Sequence, residues 1–586
     1  MYTAAVLFER IFIMAQIDLS KTQTKAELKC FKGIDRSAPV HSGGLEYISN
    51  FRIGTDGSLV KRHGFEQHAK FSLPIRAIFR LSDSSIAALS GDKIYSVDLL
   101  SDTFTELASV GTSDGNASFF KFGQALYLAD GNSISEIGGN GATAIDGYAP
   151  LYGKDWDPKD MGEVNEELNI LSHHLRISYK IGSSSPSYFY LPFQISSIDA
   201  VFLNGERRAS GSASLSSDGT KIQSILSLHE GDTVAFFLST QSTATDNSAL
   251  MHCKGAIPVG TSKEGISLIF FDGDDPSAIY CAHTASSESV KVCSSVYPSA
   301  LSLYAKASDR ITIDGGKGAV TAVCTLSDRL IVFTEERAFF LDPHTSTGLS
   351  LIPSGVGCLS KNGLSFVGGE LFTVSRGGVF KWHISSRSDT DCSVACISRR
   401  VADLLPYSFC ANAVLFTSIS TDELFIGDPD DPSGTVLVYS IGSDSWYSFS
   451  GIGAEHFFEC AGKVGFTRSD SICLFSPDMT HDTVDGKKIN VTSRIESGLL
   501  MCDPINDQKR LSHLFMLTSK GASLKLTVTD AEGHSQSLYL SDNSSERLGY
   551  LESRLECRRS RYYSFSIEDS TDQAVKLYTV VLSAVD

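Results

Sequence analysis

Long apolar runs are absent from this sequence of 586 residues. The nearest approach is the opening MYTAAVLFERIFI, which Glu9 and Arg10 interrupt. A membrane-spanning helix needs about 20 mostly apolar residues, and a secretory signal places a basic stretch before its apolar core. The opening has neither property, so we expect no stable membrane association. Met14 begins a more ordinary start, which makes residues 1–13 an upstream extension or a short tail.

Dense basic stretches are also missing. The formal net charge is −18, from 50 Lys and Arg against 68 Asp and Glu. A protein that grips nucleic acid through its phosphates needs clustered cations. The densest group is Arg554, Arg558, Arg559 and Arg561, which predicts either a solvated strand or a surface for an acidic partner. The acidic balance argues against a DNA clamp, yet it suits a wall past which DNA slides.

Cysteine pairs with metal-site spacing do not occur. The 13 Cys are an odd number, no CxxC is present, and Cys392 and Cys396 are the closest two. Zinc sites need close paired ligands, and disulfide scaffolds usually show even counts. We therefore predict free, mostly buried thiols in a reducing compartment, with neither a metal nor a cofactor.

Catalytic motifs are lacking as well, because the chain contains neither HExxH nor a Gly-rich phosphate loop. LSSDGTKI at Leu215 is only a fragment of a sialidase box, without its Trp. His173 and His174 are adjacent, so on a strand they point to opposite faces and cannot share one metal. We predict no catalytic, cofactor-binding or metal-binding residues, and no enzyme.

Two acidic turns invite a calcium interpretation. They are FFDGDDPSAIY from Phe270 and GDPDDPSG, with Asp428, Asp430 and Asp431. Neither carries the full series of oxygen ligands found in an EF-hand loop. Ordinary solvated turns are therefore the preferred interpretation of both.

What the chain does contain is a recurring hairpin, as in RLIVFTEERAFFLD from Arg329 and ELFTVSRGGVFKWH from Glu370. Related copies start at Ser85, Gln124, Glu423 and Lys463, and paired copies are 39 to 41 residues apart. Each has two alternating apolar runs around a tight turn, and the turns carry Gly-Asp, Asp-Gly, Arg-Gly-Gly or Asp-Pro-Ser-Gly in several copies. A period of roughly 40 residues with several strands is typical of a β-propeller blade. The sequence therefore predicts an all-β protein with a propeller of about six or seven blades.

The propeller rhythm stops at about residue 151 and resumes near 310, which predicts five segments. They are an N-terminal tail (1–27), N-terminal strands with the first blades (28–150), an inserted β-sandwich with flanking linkers (151–310), the remaining blades (311–486), and a C-terminal β-sandwich or ring-closing strands (487–586). VFLNGERR in the insert is a hairpin with Asn204-Gly205 at its turn. VYSIGSDSWYSF resembles one kelch-type strand pair, in which Tyr439 and Trp446 pack between blades.

GIDRSAP, EYISNFRI and DGSLVKRHGFE together resemble the opening of a family of tailed-bacteriophage tail hub and nozzle proteins, often labelled packaged-DNA stabilisation or head-to-tail joining proteins. LYLADGNSISEI with IDGYAP, DRLIVFTEERAFFLD, and the insert's NILSHHLRISYK, YFYLPF and AVFLNGE are similar to further family patterns. The C-terminal hundred residues match weakly. The residues on the opening pattern are Gly33, Asp35, Arg36, Ala38, Pro39, Asn50, Arg52, Gly57, Leu59, Arg62, Gly64 and Phe65.

This resemblance implies a structural virion protein without enzymatic activity. It implies a homo-oligomeric ring, expected to be hexameric, in the neck, tail hub or nozzle. The ring would join head to tail, contact portal or adaptor proteins, retain packaged double-stranded DNA and line its ejection conduit. Assembly would take place in the bacterial cytoplasm. The alternative is a carbohydrate-binding or carbohydrate-cleaving propeller in a receptor-binding tail component, which three Trp in the whole chain support weakly.

Overall fold

The structure is a computed structural model that describes residues 23–37, 44–112, 115–139, 141–182, 186–240, 248–261, 265–326, 329–342, 348–384, 392–501, 508–542 and 548–585. Strands dominate these ranges, and the helices are short. The predicted all-β propeller fold is confirmed. None of the helices in the described ranges has the length and apolar character that crossing a bilayer requires.

The N-terminal strands are spread over two distant parts of the molecule. β1 pairs antiparallel with the last strand of the chain, so the predicted tail of residues 1–27 is wrong at its C-terminal end. β2 to β4 join the C-terminal sheets, whereas β5 enters the propeller. The bounds are β1 (Gln23–Leu28), β2 (Leu45–Ser49), β3 (Phe51–Ile53), β4 (Leu59–Lys61) and β5 (Phe65–Lys70).

Two four-stranded antiparallel blades follow, each built on the hairpins seen in the sequence. Blade one comprises β6 (Ile75–Arg80), β7 (Ser85–Ser90), β8 (Lys93–Asp98) and β9 (Thr103–Ser109). Blade two comprises β10 (Ser118–Phe122), β11 (Ala125–Ala129), β12 (Ile134–Gly138) and β13 (Gly141–Ala144).

An inserted sandwich interrupts the propeller after blade two. Its five-stranded sheet has the order β14-β15-β21-β17-β18 and covers a three-stranded sheet, β16-β20-β19. Asn204 and Gly205 both have positive φ at the β17–β18 turn, as the hairpin prediction requires. The bounds are β14 (Leu151–Trp156), β15 (His174–Lys180), β16 (Tyr188–Tyr190), β17 (Ile195–Leu203), β18 (Glu206–Arg207), a 3-10 turn (Ser210–Ser212), β19 (Ala213–Leu215), β20 (Lys221–Ser224) and β21 (Thr233–Thr240).

Blade three follows the insert at once, and here the predicted boundary of 310 is wrong. ISLIFFDGDD, assigned above to the insert, belongs to the second strand of a blade whose first strand contacts blade two. Two helices and long connections stretch this blade, which hid the 40-residue period. The bounds are α1 (Ser248–Met251), β22 (Gly255–Thr261), β23 (Gly265–Phe271), β24 (Ala278–Thr284), α2 (Ser287–Ser294), β25 (Leu303–Tyr304), 3-10 turns (Ala307–Asp309 and Ile313–Gly316) and β26 (Arg310–Thr312).

Four further blades complete the propeller. Blade four comprises β27 (Ala322–Leu326), β28 (Arg329–Phe333), β29 (Ala338–Leu341) and β30 (Leu349–Ile352). Blade five comprises β31 (Leu364–Val367), β32 (Glu370–Ser375), β33 (Gly378–Ile384) and β34 (Cys392–Cys396), followed by a 3-10 turn (Arg399–Leu404) and α3 (Tyr407–Asn412). Blade six comprises β35 (Val414–Ser418), β36 (Glu423–Gly427), β37 (Val436–Ser440) and β38 (Ser445–Phe449), and blade seven begins with β39 (His456–Cys460), β40 (Lys463–Arg468) and β41 (Ser471–Phe475).

Apolar clusters between neighbouring blades close the ring. Phe120 and Phe270 share a cluster between blades two and three, and Phe333 and Trp382 share one between blades four and five. Buried residues of blades seven and one also form a joint cluster, so the last blade packs against the first. Within the described residues the propeller therefore has seven blades. Each blade buries both faces, which a single blade cannot do.

The N-terminal strand β5 completes blade seven. It pairs antiparallel with β41, from Phe65 opposite Phe475 to Lys70 opposite Ser471. Phe65 is buried edge-on against Phe466, with ring centroids 5.0 Å apart. The ring is thus closed by residues from near the start of the chain, while the C-terminal residues lie elsewhere.

The C-terminal residues form a sandwich together with the N-terminal strands. One sheet continues blade six outward in the order β38-β2-β44-β50-β47-β48, and the other has the order β3-β4-β51-β46-β49. The hairpin β42–β43 extends blade seven beside β5. The bounds are β42 (His481–Val484), β43 (Lys487–Asn490), β44 (Ser493–Ser497), β45 (Leu500–Met501), β46 (Arg510–Ser519), β47 (Ser523–Asp530), β48 (Ser535–Ser541), β49 (Leu548–Arg554), β50 (Tyr562–Asp569) and β51 (Lys576–Val585).

Gly64→Ala tests how closely the chain approaches its neighbours where it passes from the C-terminal sandwich into the propeller. A Cβ on Gly64 would lie 1.8 Å from the backbone oxygen of His481. Because the atoms that the added carbon would meet are backbone atoms, which no side-chain rotation can move away, we expect a loss of about 1–3 kcal/mol in the free energy of unfolding, measured in urea.

Gly138→Ala is the matched control, since no atom lies within 4 Å of the added carbon. Equal stability of the two variants would contradict the close approach at Gly64.

Candidate functional site

The residues of the N-terminal pattern converge on the junction between the propeller and the C-terminal sandwich. Arg62 is 2% exposed there, and its guanidinium binds the carboxylate of Asp482 in two places, at 2.8 and 2.7 Å. Its Nε donates to Asn50 Oδ1 at 2.8 Å, and its remaining N–H groups donate to the carbonyls of His63 and Ser450. A guanidinium has five donors in a fixed fork, and all of them are used. We call this group of residues the Arg62 clamp.

The Arg62 clamp joins segments that are distant in the chain. Asn50 donates from Nδ2 to Ser450 Oγ at 2.8 Å and to the carbonyl of Thr492 at 2.7 Å. Ser450 follows blade six, Asp482 lies in β42 beside blade seven, and Thr492 precedes β44 of the sandwich. One buried network thus ties two blades and the sandwich together.

The preceding residue makes a second buried ion pair on the sandwich side. Lys61 Nζ lies 2.6 Å from Asp569 Oδ2, and both side chains are at most 1% exposed. Lys61 also donates to the carbonyl of Thr571 at 2.5 Å. Because successive residues of an extended chain point to opposite sides, Lys61 and Arg62 fasten the same chain segment to two different bodies.

Arg52 forms a third charged contact, with blade six. Its guanidinium lies 3.3 Å from Glu423, which accepts a hydrogen bond from the Tyr447 hydroxyl. Burial, followed by the charge of Glu423, raises the pKa of Tyr447 well above its ordinary value, so the phenol stays protonated and donates.

The other residues of the pattern also have structural positions. A Cβ on Gly33, which has φ +90°, would lie 2.7 Å from the backbone nitrogen of Trp446. Arg36 pairs with Asp403 at 2.9 Å, and Leu59 and Phe65 belong to the core. Ala38 and Pro39 lie outside the described residues. Trp446 donates to the carbonyl of Ile397 after blade five, which is the predicted packing between blades.

The propeller axis holds a cavity of about 350 Å³. Residues of several blades line it: Ile78, Phe271, Ala322, Val323, Lys361, Asn362, Leu364, Val414, Leu415, His456 and Phe457. Burial lowers the pKa of His456 to about 4, so its imidazole is neutral at pH 7. The cavity has the volume of a small-molecule site.

Each carboxylate of the acidic turn after β23 has its own side-chain partner. Asp272 pairs with Lys361 at 2.6 Å, Asp274 with His252 at 2.6 Å, and Asp275 with Arg310. In the other acidic turn, Asp428 and Asp431 accept hydrogen bonds from backbone N–H groups of the turn itself. Among the described residues no group of three or more His, Cys, Asp or Glu is arranged to hold a metal ion.

The described cysteines are free thiols, and most are buried. Burial raises the pKa of Cys324 and of Cys358 to about 12. Such thiols remain protonated and unreactive at neutral pH.

A charged cluster fixes the base of the inserted sandwich. His174 lies between Asp146, at 3.2 Å, and Asp199, at 3.6 Å, and stacks on Tyr297 with ring centroids 4.0 Å apart. Burial opposes its charge, but the hydrogen bonds and charges of the two aspartates raise the pKa of His174 to about 9. The imidazolium therefore links blade two and blade three to the insert at neutral pH. Sequence alone missed this role, since it only excluded a metal shared by His173 and His174 and gave no partner for either side chain.

Comparisons with known proteins bear on the fold alone. No protein-family model and no curated protein matches the chain. Similar solved structures include the computationally designed Ika8 protein (10% identity, TM-score 0.34, 70% of this chain and 99% of that one) and the WD40 domain of SCAP from fission yeast (10%, 0.31, 70% and 97%). The AfRom2 CNH domain is a third (7%, 0.33, 70% and 99%). At these identities and TM-scores the likeness carries no functional argument, and the propeller assignment rests on the sheet order.

His174 makes the base of the insert sensitive to alkaline pH. Its pKa rises on folding from an ordinary 6.5 to about 9, so its stabilisation is full below pH 6.5 and is lost as pH rises through 9. A shift of this size corresponds to about 3 kcal/mol. We expect faster amide exchange in the β15 and β21 strands at pH 9.5 than at pH 6.5, after correction for intrinsic exchange rates.

His174→Gln should remove this pH dependence, whereas His229→Gln should leave it unchanged, because the His229 side chain is 82% exposed. An unaltered pH dependence in the His174 variant would refute the assignment.

Proposed function

We propose that this chain is a structural subunit of a tailed-bacteriophage virion, in a ring of the neck, tail hub or nozzle. The ring joins head to tail, retains packaged DNA and forms part of the ejection conduit. The observation that carries the proposal is the N-terminal pattern, whose residues Asn50, Arg52, Arg62, Gly64 and Phe65 resemble that family. In this chain those residues build the buried junction of the molecule. A rigid junction between the propeller and the C-terminal sandwich suits a subunit that carries mechanical load.

The architecture supports a load-bearing role. The propeller and the C-terminal sandwich share a ten-stranded sheet, so they are joined by main-chain hydrogen bonds as well as by the Arg62 clamp. Rings of such stiff blocks make a stiff tube. The net charge of −18 lets DNA pass without sticking to the wall.

The conduit in this proposal lies between subunits rather than along the propeller axis. The axial cavity of about 350 Å³ is lined by Phe271, Leu364 and Phe457, among others, and has the size of a small ligand. Duplex DNA is far larger than such a cavity. A ring of several copies therefore has to supply the opening, with portal and adaptor proteins as its neighbours.

The assembly state of the purified chain tests the proposal. We expect rings of about six subunits, alone or after addition of portal or adaptor protein, because several copies must enclose the DNA. Size-exclusion light scattering gives the mass, and negative-stain images give the shape.

A chain that stays monomeric with every virion partner would contradict the proposal. In that case carbohydrate binding becomes the better account, since Tyr188 and Tyr190 are 44% and 39% exposed on one face of β16 in the insert. Glycan arrays with Tyr188→Ala as the control would then identify the ligand.

A further inference from the structure

We propose that copies of this chain associate head to tail, the C-terminal sandwich of one copy binding the inserted sandwich of the next. The inference rests on the proposed function and specifies how its ring is held together. Three observations carry it: an arginine cluster, an acidic hairpin, and the positions of these two features on the propeller.

The arginine cluster lies at one end of the C-terminal sandwich. Residues 554–561 contain four Arg and one Glu, and Arg510 at the start of β46 adds a fifth cation. All five are exposed. The sheet brings them together, since His513 pairs with Arg554 and Lys509 bridges to Ser560.

The guanidinium groups of the arginine cluster form no ion pair with any carboxylate in the described ranges. Arg558 donates to His534 Nε2 at 3.0 Å, while Asp530 and Glu532 face His534 from the other side. Arg is the cation best suited to bind carboxylates in two places at a protein interface. The cluster is thus a free binding surface for an acidic partner on a protein that is acidic overall.

The cluster points away from the junction with the propeller. β50 runs from Asp569, at the junction, to Tyr562, beside the arginines. At about 3.3 Å per residue these ends are roughly 23 Å apart. The arginines are therefore accessible to another molecule, at the far end of the sandwich strands.

The acidic hairpin occupies residues 155–167 of the insert, which contain six Asp or Glu and one Lys. Trp156 is buried, and its Nε1 donates to the carbonyl of Glu163 at 2.8 Å, which fixes the loop. Asp157 and Met161 pair at the tip, whereas Ile170 bonds to Ala305 of blade three at the base. The tip packs on the insert, where the carbonyl of Pro158 accepts from the N–H of Tyr190 in β16, so it belongs to the inserted sandwich.

The carboxylates of this hairpin are available to a partner. Asp157, Asp160, Glu163 and Glu167 are exposed and form no ion pair with a cation of the described residues. Asp157 Oδ1 accepts from the backbone N–H groups of Lys159 and Asp160, which leaves its Oδ2 for a partner. Val164 among them is 49% exposed and adds an apolar contact. A fixed, exposed, acidic hairpin complements the arginine cluster in charge and in residue type.

The propeller holds these two surfaces on opposite sides. The insert lies between blades two and three, and the sandwich continues the sheet of blade six. In a ring of seven blades, blade six is three steps from blade three and three steps from blade two. One copy can therefore reach the next on each side, as a heterologous contact requires, and such contacts close into rings when the rotation permits.

Charge reversal tests the contact with the full-length chain. One variant carries Arg554→Glu, Arg558→Glu, Arg559→Glu and Arg561→Glu, and the other carries Asp157→Lys, Asp160→Lys, Glu163→Lys and Glu167→Lys. We expect the rings of each variant to dissociate below a protein concentration that is about tenfold or more higher than the corresponding concentration for the wild type. The reason is that like charges then face each other at the contact. A mixture of the two variants should form rings again when the copies alternate. The acidic sandwich of one variant then faces the basic hairpin of the other, and the native arginine cluster faces the native acidic hairpin at the next contact.

Lys121→Glu with Lys463→Glu is the control for charge reversal elsewhere on the surface, with half as many substitutions, because both side chains are exposed on the blades. Raising the salt concentration from about 0.1 M to 1 M should dissociate wild-type rings, since screening weakens exposed charge pairs. Circular dichroism verifies that every variant is folded.

A zero-length carbodiimide cross-link provides a readout that is independent of ring stability. With Arg559→Lys and Arg561→Lys, we expect links to residues 157–167 between isotopically different copies. The inference is overturned if both charge-reversal variants still form normal rings. It is also overturned if wild-type rings form but no cross-links to residues 157–167 are found in the lysine variant. Both outcomes leave the proposed function standing. Loss of duplex DNA binding without loss of rings in the arginine variant also overturns it. Absence of rings from the wild type with every virion partner contradicts the proposed function itself.

Discussion

The bidentate contact between Arg62 and Asp482 joins the propeller to the C-terminal sandwich. It lies where the chain passes from the C-terminal sandwich into blade seven, so ring closure and the attachment of the sandwich are one event. β5 starts only three residues after Arg62 and completes the last blade. The backbone N–H of Phe65 also donates to the Asp482 carboxylate at 3.2 Å. The same carboxylate therefore positions both the Arg62 guanidinium and the strand that closes the ring.

A buried ion pair is a poor source of net stability, since desolvation offsets most of the attraction. The Arg62–Asp482 pair instead fixes the register in which strand β5 joins blade seven. The guanidinium has donors in fixed directions, and Asn50, Ser450 and Asp482 satisfy them only in one arrangement of the three segments. A single-residue slip of β5 would expose its buried side chains and leave the charge of Arg62 unpaired. The clamp therefore specifies which strand closes the propeller.

Most blades could be predicted from the sequence because the strands of a hairpin are neighbours in the chain. Contacts between residues that are far apart in the chain could not be predicted in this way. Hairpins with tight turns identified six blades, because each turn and its two strands are contiguous. Blade three was missed since α2 and its flanking loops separate β24 from β25 and β26. The partner of Arg62 is 420 residues away, and no sequence pattern indicates it. The acidic composition of residues 155–167 was a usable signal, but it suggested only a linker.

Two-probe denaturation of Arg62→Ala tests most directly whether the clamp makes one cooperative body. The variant leaves Asp482 buried without its partner, which should cost about 3–5 kcal/mol. We predict that the wild type unfolds in one transition by tryptophan fluorescence and by amide exchange in β46 to β51. The variant should show two transitions, with the sandwich and blade seven released first. A single transition with a loss below about 1 kcal/mol would contradict the account.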